Sequence, residues 1–125
     1  MVDRDYTTES NPLERDQRPW GFYEVLVDSP FTKVKRIIVN PKSRISYQKH
    51  FKREEHWVIV KGTPHLTLND VVTHHAEGDV IHIPREALHR IENRTDEDVI
   101  FIEVQRGSYF GEDDIIRIED DYNRV

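Results

Sequence analysis

Hydrophobic and polar residues alternate in short runs along most of this chain, and turn residues separate the runs. Phe22 to Val27 follows the turn Arg18-Pro19-Trp20-Gly21, and Thr32 to Val39 (TKVKRIIV) lies between Ser29-Pro30 and Asn40-Pro41. Arg44 to His50 and Trp57 to Val60 alternate in the same way, the second ending at Lys61-Gly62. His65 to Leu68 stops at Asn69-Asp70, a hairpin signal, and Val71 to His75 continues from it. Val80 to Ile83 stops at Pro84, Arg90 to Glu92 follows, and Val99 to Gln105 closes the series. Many short strands with almost no helical period predict an all-β sandwich or barrel. Glu112 to Tyr122 is the one place where a helical turn is credible, with an extended acidic tail as the alternative. Residues 1–17 carry little apolar content and are expected to form an N-terminal arm or edge segment ahead of a domain spanning 18–125.

Composition narrows the classes without choosing among them. The length of 125 residues suits one domain. The absence of cysteine removes disulfides, thiolate metal sites and cysteine nucleophiles. A net charge of −6, with lysines and arginines scattered among acids, argues against a nucleic-acid partner. The polar N-terminus carries no secretory signal, and no apolar run approaches a bilayer span, so neither a membrane nor export is expected and a cytoplasmic location is.

The densest chemistry lies between Gln48 and Trp57. In a strand, Ser46, Gln48 and His50 share one face, with Ile45, Tyr47 and Lys49 opposite. A turn through Lys52 and Arg53 returns the chain with Glu55, Trp57 and Ile59 on one face and His56 on the other. If the first face is interior, an amide, an imidazole and a carboxylate converge from neighbouring strands. That donor set suits Zn²⁺, Mn²⁺, Fe²⁺, Co²⁺ or Ni²⁺. Lys35 shares a face with Ile37 and Val39, so it is either a snorkelling edge residue or a pocket residue. The guanidinium groups of Arg53, Arg90 and Arg117 match a phosphate, although each also suits a surface ion pair. Glu112, Asp113 and Asp114 read most simply as a solvated acidic face.

Two stretches resemble the two cupin motifs. The first runs from His50 through Glu55 to Gly62, and the second joins Gly78, Pro84, His89 and Asn93. More narrowly, the sequence resembles the type II mannose-6-phosphate isomerase cupin, the C-terminal domain of bifunctional mannose-1-phosphate guanylyltransferases. The matching pieces include RPWG (Arg18 to Gly21), VKRI (Val34 to Ile37), Glu55-His56-Trp57, Ile83-Pro84, IEVQ (Ile102 to Gln105) and GEDDIIR (Gly111 to Arg117). Three positions depart from the pattern: Lys52 where a second histidine is usual, Glu86 where glycine is usual, and Asn123 in place of the glycine of the closing DYGR.

The resemblance implies a single-domain cupin, a double-stranded β-helix or jelly-roll barrel, holding one divalent metal on Gln48, His50, Glu55 and His89. Zn²⁺ is the expected ion, with Mn, Co, Fe or Ni as alternatives. It further implies isomerisation of mannose 6-phosphate and fructose 6-phosphate, with Lys35 and Arg53 as catalytic candidates and Arg117 and Arg90 as substrate-binding candidates. Only the isomerase part is expected in this chain, and a homodimer is expected. Two other classes stay open: a non-catalytic sugar-phosphate binder or accessory cupin, and an Fe²⁺ dioxygenase using His50, Glu55 and His89.

Overall fold

The computed structural model describes residues 13–122; most of the expected arm and Asn123 lie outside that range. Twelve strands follow in order: β1 (Glu14–Arg18), β2 (Gly21–Asp28), β3 (Thr32–Val39), β4 (Ser43–Arg44), β5 (Tyr47–Lys49), β6 (Arg53–Lys61), β7 (His65–Leu68), β8 (Val71–His74), β9 (Val80–Ile83), β10 (His89–Asn93), β11 (Val99–Gly107) and β12 (Ile116–Glu119). They form two six-stranded sheets. One runs β1-β2-β3-β11-β6-β9, and the other runs β12-β5-β10-β7-β8 with β4 added on β10. All pairings are antiparallel, and the order interleaves distant segments as a jelly roll requires.

Period-two alternation sets which face is interior. Glu55, Trp57 and Ile59 on β6 are buried together, as are Phe101, Glu103 and Gln105 on β11 and Ile81 and Ile83 on β9. Trp57 and Phe101 meet with ring centroids 4.6 Å apart at the centre. Burial of each such side chain stabilises the fold by about 1.5–3 kcal/mol. The hairpin between β7 and β8 turns on Asn69 (φ 46°) and Asp70 (φ 67°), the two left-handed positions of a type I′ turn.

Two expectations are corrected. Glu112 to Tyr122 contains no helix: Ile116–Glu119 is a strand paired with β5, across a bulge between Arg117 and Glu119. The run from Arg44 to His50 is broken at Ile45 and Ser46, so strict alternation fails there and Ile45 joins the interior beside Gln48.

Two backbone positions fix the ends of the barrel. At Gly21 (φ 153°) a Cβ would lie 2.0 Å from the Ile38 carbonyl oxygen, so the first position of β2 admits glycine alone. Glu86 (φ 64°) holds the left-handed conformation that the usual glycine takes without strain, and its N–H donates to the His50 carbonyl at 2.7 Å. Gly21→Ala is therefore expected to lower unfolding free energy by at least about 2 kcal/mol. Glu86→Gly is expected to change it in the other direction, by about 0.5–1 kcal/mol. Denaturant midpoints of the two variants measure both, and a destabilised Glu86→Gly would contradict the strain at that turn.

Candidate metal centre and adjoining cleft

Register brings the expected ligands together. His89 on β10 pairs with Gln48 on β5, and Gln105 on β11 pairs with Glu55 on β6. His50, Glu55 and His89 are all buried, and their donor atoms lie within 4.8 Å of one another. Backbone carbonyls choose the tautomers. His50 Nδ1 donates to the Asp114 carbonyl at 2.7 Å, and His89 Nδ1 to the Ala87 carbonyl at 2.9 Å. Each Nε2 is left as a lone pair aimed at the Glu55 carboxylate, at 3.7 Å for His50 and 4.0 Å for His89.

Chemistry tests whether a divalent ion fits here. His89 Nε2 is buried with no hydrogen-bond partner, as a nitrogen that ligates a metal would be. Gln48 donates its Nε2 to His50 Nε2 at 3.3 Å while Ser46 Oγ donates to its Oε1 at 2.5 Å. A half-turn of that amide presents Oε1 to the site. Lys52, at the position of the usual second histidine, is exposed and lies over the Tyr109 ring instead. The residues fit an ion, with Arg53 as the group that must yield. Its guanidinium donates to His50 Nε2 at 3.1 Å and to Glu55 Oε2 at 3.0 Å.

A cleft opens beside this cluster, lined by Trp57 and Phe101 among others. Lys35 is buried in its wall, as the pocket alternative requires, with its ammonium 4.0 Å from the Tyr23 ring and paired with Glu112. Arg53 and Arg117 both line the cleft. Arg90 does not. Lying between inward-facing His89 and Ile91, its side chain points outward, donating to the Ile45 carbonyl at 2.9 Å and reaching Glu119. The expected substrate contact at Arg90 is thus replaced by a clasp between strands.

A family model described as mannose-6-phosphate isomerase C-terminal matches residues 6–120. The chain belongs to that family. It is 44% identical over 86% of its length to xanthan biosynthesis protein XanB of Xanthomonas campestris. It is 43% identical over 83% to a mannose-1-phosphate guanylyltransferase of Sinorhizobium fredii. These relatives are much longer, and the chain spans 20–23% of their length. Among solved structures, CapF of Staphylococcus aureus superposes with a TM-score of 0.74 at 22% identity, over 88% of this chain and 35% of that one. A cupin-2 domain from Rhodospirillum rubrum gives 0.63 at 20% identity, over 74% and 67%. The fold is therefore that of the cupins.

Two residues of this mannose-6-phosphate isomerase-type cupin escaped the sequence reading. Glu103 is buried beside Glu55, and burial, the Glu55 charge and a hydrogen bond to Glu55 push its carboxyl up to about 8. Its signal was present: Glu103 shares the inward face of Phe101 and Gln105 within IEVQ. Arg18 also lines the cleft, and donates to the Tyr23 hydroxyl at 3.1 Å. The acidic GEDD stretch is solvent-exposed at Glu112 and Asp113, as expected, and is also tied to the barrel. Burial would raise the Glu112 carboxyl, but Lys35 and Arg53 hold it down at about 2, and Asp114 caps the N–H groups of Phe51 and Lys52.

Burial, reinforced in His50 by the Arg53 charge, lowers both buried imidazoles to about 4, so both are neutral donors near pH 7. Burial would also raise Glu55, but the bond from Glu103 and the Arg53 charge outweigh it and keep Glu55 ionised. In metal-free protein, the histidines gain protons only on unfolding between pH 4 and 6.5, so stability rises with pH there. Glu103 has the opposite sign: the folded state alone holds its proton between pH 4.5 and 8, so its contribution falls with pH. Two histidines outweigh one carboxyl below about pH 6.5, and above it the carboxyl acts alone. Chelator-treated protein is expected to show its highest denaturant midpoint near pH 6.5. A midpoint that climbs steadily from pH 5 to 8 would contradict this charge assignment.

Proposed function

We propose that this cupin is a metal-dependent aldose–ketose isomerase interconverting mannose 6-phosphate and fructose 6-phosphate. The observation that carries the reading is the buried His50, Glu55 and His89 set, whose Glu55 lines, together with Gln48, a cleft that also bears Lys35, Arg53 and Glu112. Gln48, His50, Glu55 and His89 would hold the ion, Zn²⁺ in the first instance, which when bound polarises the sugar oxygens and steadies negative charge on them.

The remaining steps belong to the side chains. From aldose to ketose, a proton leaves C2 and one is delivered to C1, while O1 gains and O2 loses a proton. Glu112, kept ionised beside Lys35, accepts the carbon-bound proton and returns it one carbon along. The Lys35 ammonium gives a proton to O1 and recovers one from O2 across the cis-enediol stage. Arg53 supplies fixed positive charge to the developing enediolate. Arg117 and Arg18, both on the cleft wall, anchor the phosphate. Trp57 excludes water from below. A cytoplasmic location and a homodimer belong to the same proposal, the latter measured by light scattering.

A second reading rests on Arg53, whose contacts to His50 and Glu55 neutralise the ligand set from within the chain. It makes the protein a sugar-phosphate binder without turnover. Purified protein supplied with Zn²⁺ or Mn²⁺ is expected to interconvert the two sugar phosphates in a coupled assay. His50→Ala is expected to abolish this, and Lys35→Met to lower kcat about 10²–10⁴-fold. Turnover indifferent to chelation and to His50→Ala would end the isomerase mechanism. Calorimetric binding without conversion would establish the second reading.

A further inference from the structure

Alternation along β6 puts a second donor set on the opposite face of the same sheet. Glu54 and His56 flank Glu55 and point outward, and His56 pairs directly across the ladder with His82 on β9. The two imidazoles stack with centroids 4.6 Å apart and planes 14° from parallel. Glu54 reaches the same spot: its Oε2 lies 3.3 Å from His82 Nε2, while its Oε1 is held by Arg106 at 2.9 Å. Among the described residues, two groups of three or more close donors exist. One is the interior set, and the other is Glu54, His56 and His82, with donor atoms within 4.8 Å of one another.

We propose that Glu54, His56 and His82 form a second, surface site for a borderline transition-metal ion such as Zn²⁺, Ni²⁺ or Cu²⁺. Two imidazole nitrogens and a carboxylate oxygen are the donor types these ions favour. Bonds of roughly 2.0–2.1 Å in a tetrahedral arrangement place neighbouring donors about 3.3 Å apart. The donors therefore need to close by about 1.5 Å at most, and the nearly parallel rings of His56 and His82 need to turn about χ1 and χ2 so that their in-plane lone pairs meet at one point. His82 is half exposed, with 51% of its side chain accessible, so it is free to turn and the ion has an open approach. Arg106 fixes one Glu54 oxygen and leaves the other for the ion, as a hydrogen-bonded partner does for a ligating carboxylate. Two protein ligands come from β6 and one from β9, the edge strand of that sheet. Occupancy would therefore clamp the edge strand to its neighbour and raise stability by mass action.

This inference stands apart from the interior site and from the isomerase reading, and the test separates them. Chelator-treated protein is incubated with excess Zn²⁺, desalted, and its zinc measured by elemental analysis. Wild type is expected to hold two ions per chain, with His82→Ala and His50→Ala holding one each and the double variant none. Zn²⁺ is also expected to raise the melting temperature of His50→Ala, and to lose that effect in the double variant. His82 is exposed, so its removal leaves the metal-free fold intact, as an unchanged metal-free melting curve verifies. Equal zinc content in wild type and His82→Ala overturns the surface site. Zinc in His50→Ala equal to wild type, with one ion lost in His82→Ala, supports the surface site while removing the interior one.

Discussion

A carboxylate buried at the centre of the barrel governs the rest of this structure. An ion the size of the Glu55 side chain costs several kcal/mol to strip of water, and it survives only with donors on every side. Trp57 Nε1 donates to one oxygen at 2.9 Å, Arg53 Nε donates to the other at 3.0 Å, and Glu103 keeps a proton so that it too can donate. Each donor has a second employment. The Trp57 indole is the hub of the core, Arg53 reaches on to His50, and Glu103 is braced by Gln105 Nε2 at 3.3 Å. Core packing and site chemistry are therefore one network, and a change at any member is felt in both.

The C-terminal segment completes that network from outside the two motifs. The Asp114 carbonyl selects the His50 tautomer, the Asp114 carboxylate caps the turn after His50, and Glu112 closes on Lys35. β12 then ties the segment to β5, setting Arg117 opposite Gln48. The segment leading into a strand that looks peripheral in the sheet order thus sets both the orientation of His50 and the charge of the cleft wall.

What the sequence disclosed and what it withheld divide along the range of the interactions. Alternation is local, so it placed Glu55 and Trp57 inward and His56 outward, and it put Gln48 and His50 on one face. The same rule, applied to His89 and Ile91, would have turned Arg90 away from the cleft, and applied to IEVQ it would have exposed Glu103. Those two were legible and missed. By contrast, nothing local reveals that the GEDD stretch, exposed at Glu112 and Asp113, is also tied to the barrel. Its structure comes from contacts with Lys35, His50 and β5, more than sixty residues away along the chain, and no periodicity reports them. The bare departure from the usual glycine at Glu86 was visible, whereas its positive φ and its bond to the His50 carbonyl were not.

Charge balance around Glu55 bears on the absence of the usual histidine at Lys52. Around Glu55 the formal charges nearly cancel: Arg53 offsets Glu55, Lys35 offsets Glu112, both histidines are neutral, and Glu103 is protonated. A third imidazole would contribute a donor without changing that sum. An incoming divalent ion changes it by two. The groups that would have to respond are Arg53, which donates to His50 Nε2, and Glu103, whose proton is held by burial first and then by the negative charge of Glu55. The Gln48 amide, able to present either its nitrogen to a bare His50 or its oxygen to an ion, is the one ligand here that suits both states without a change of charge.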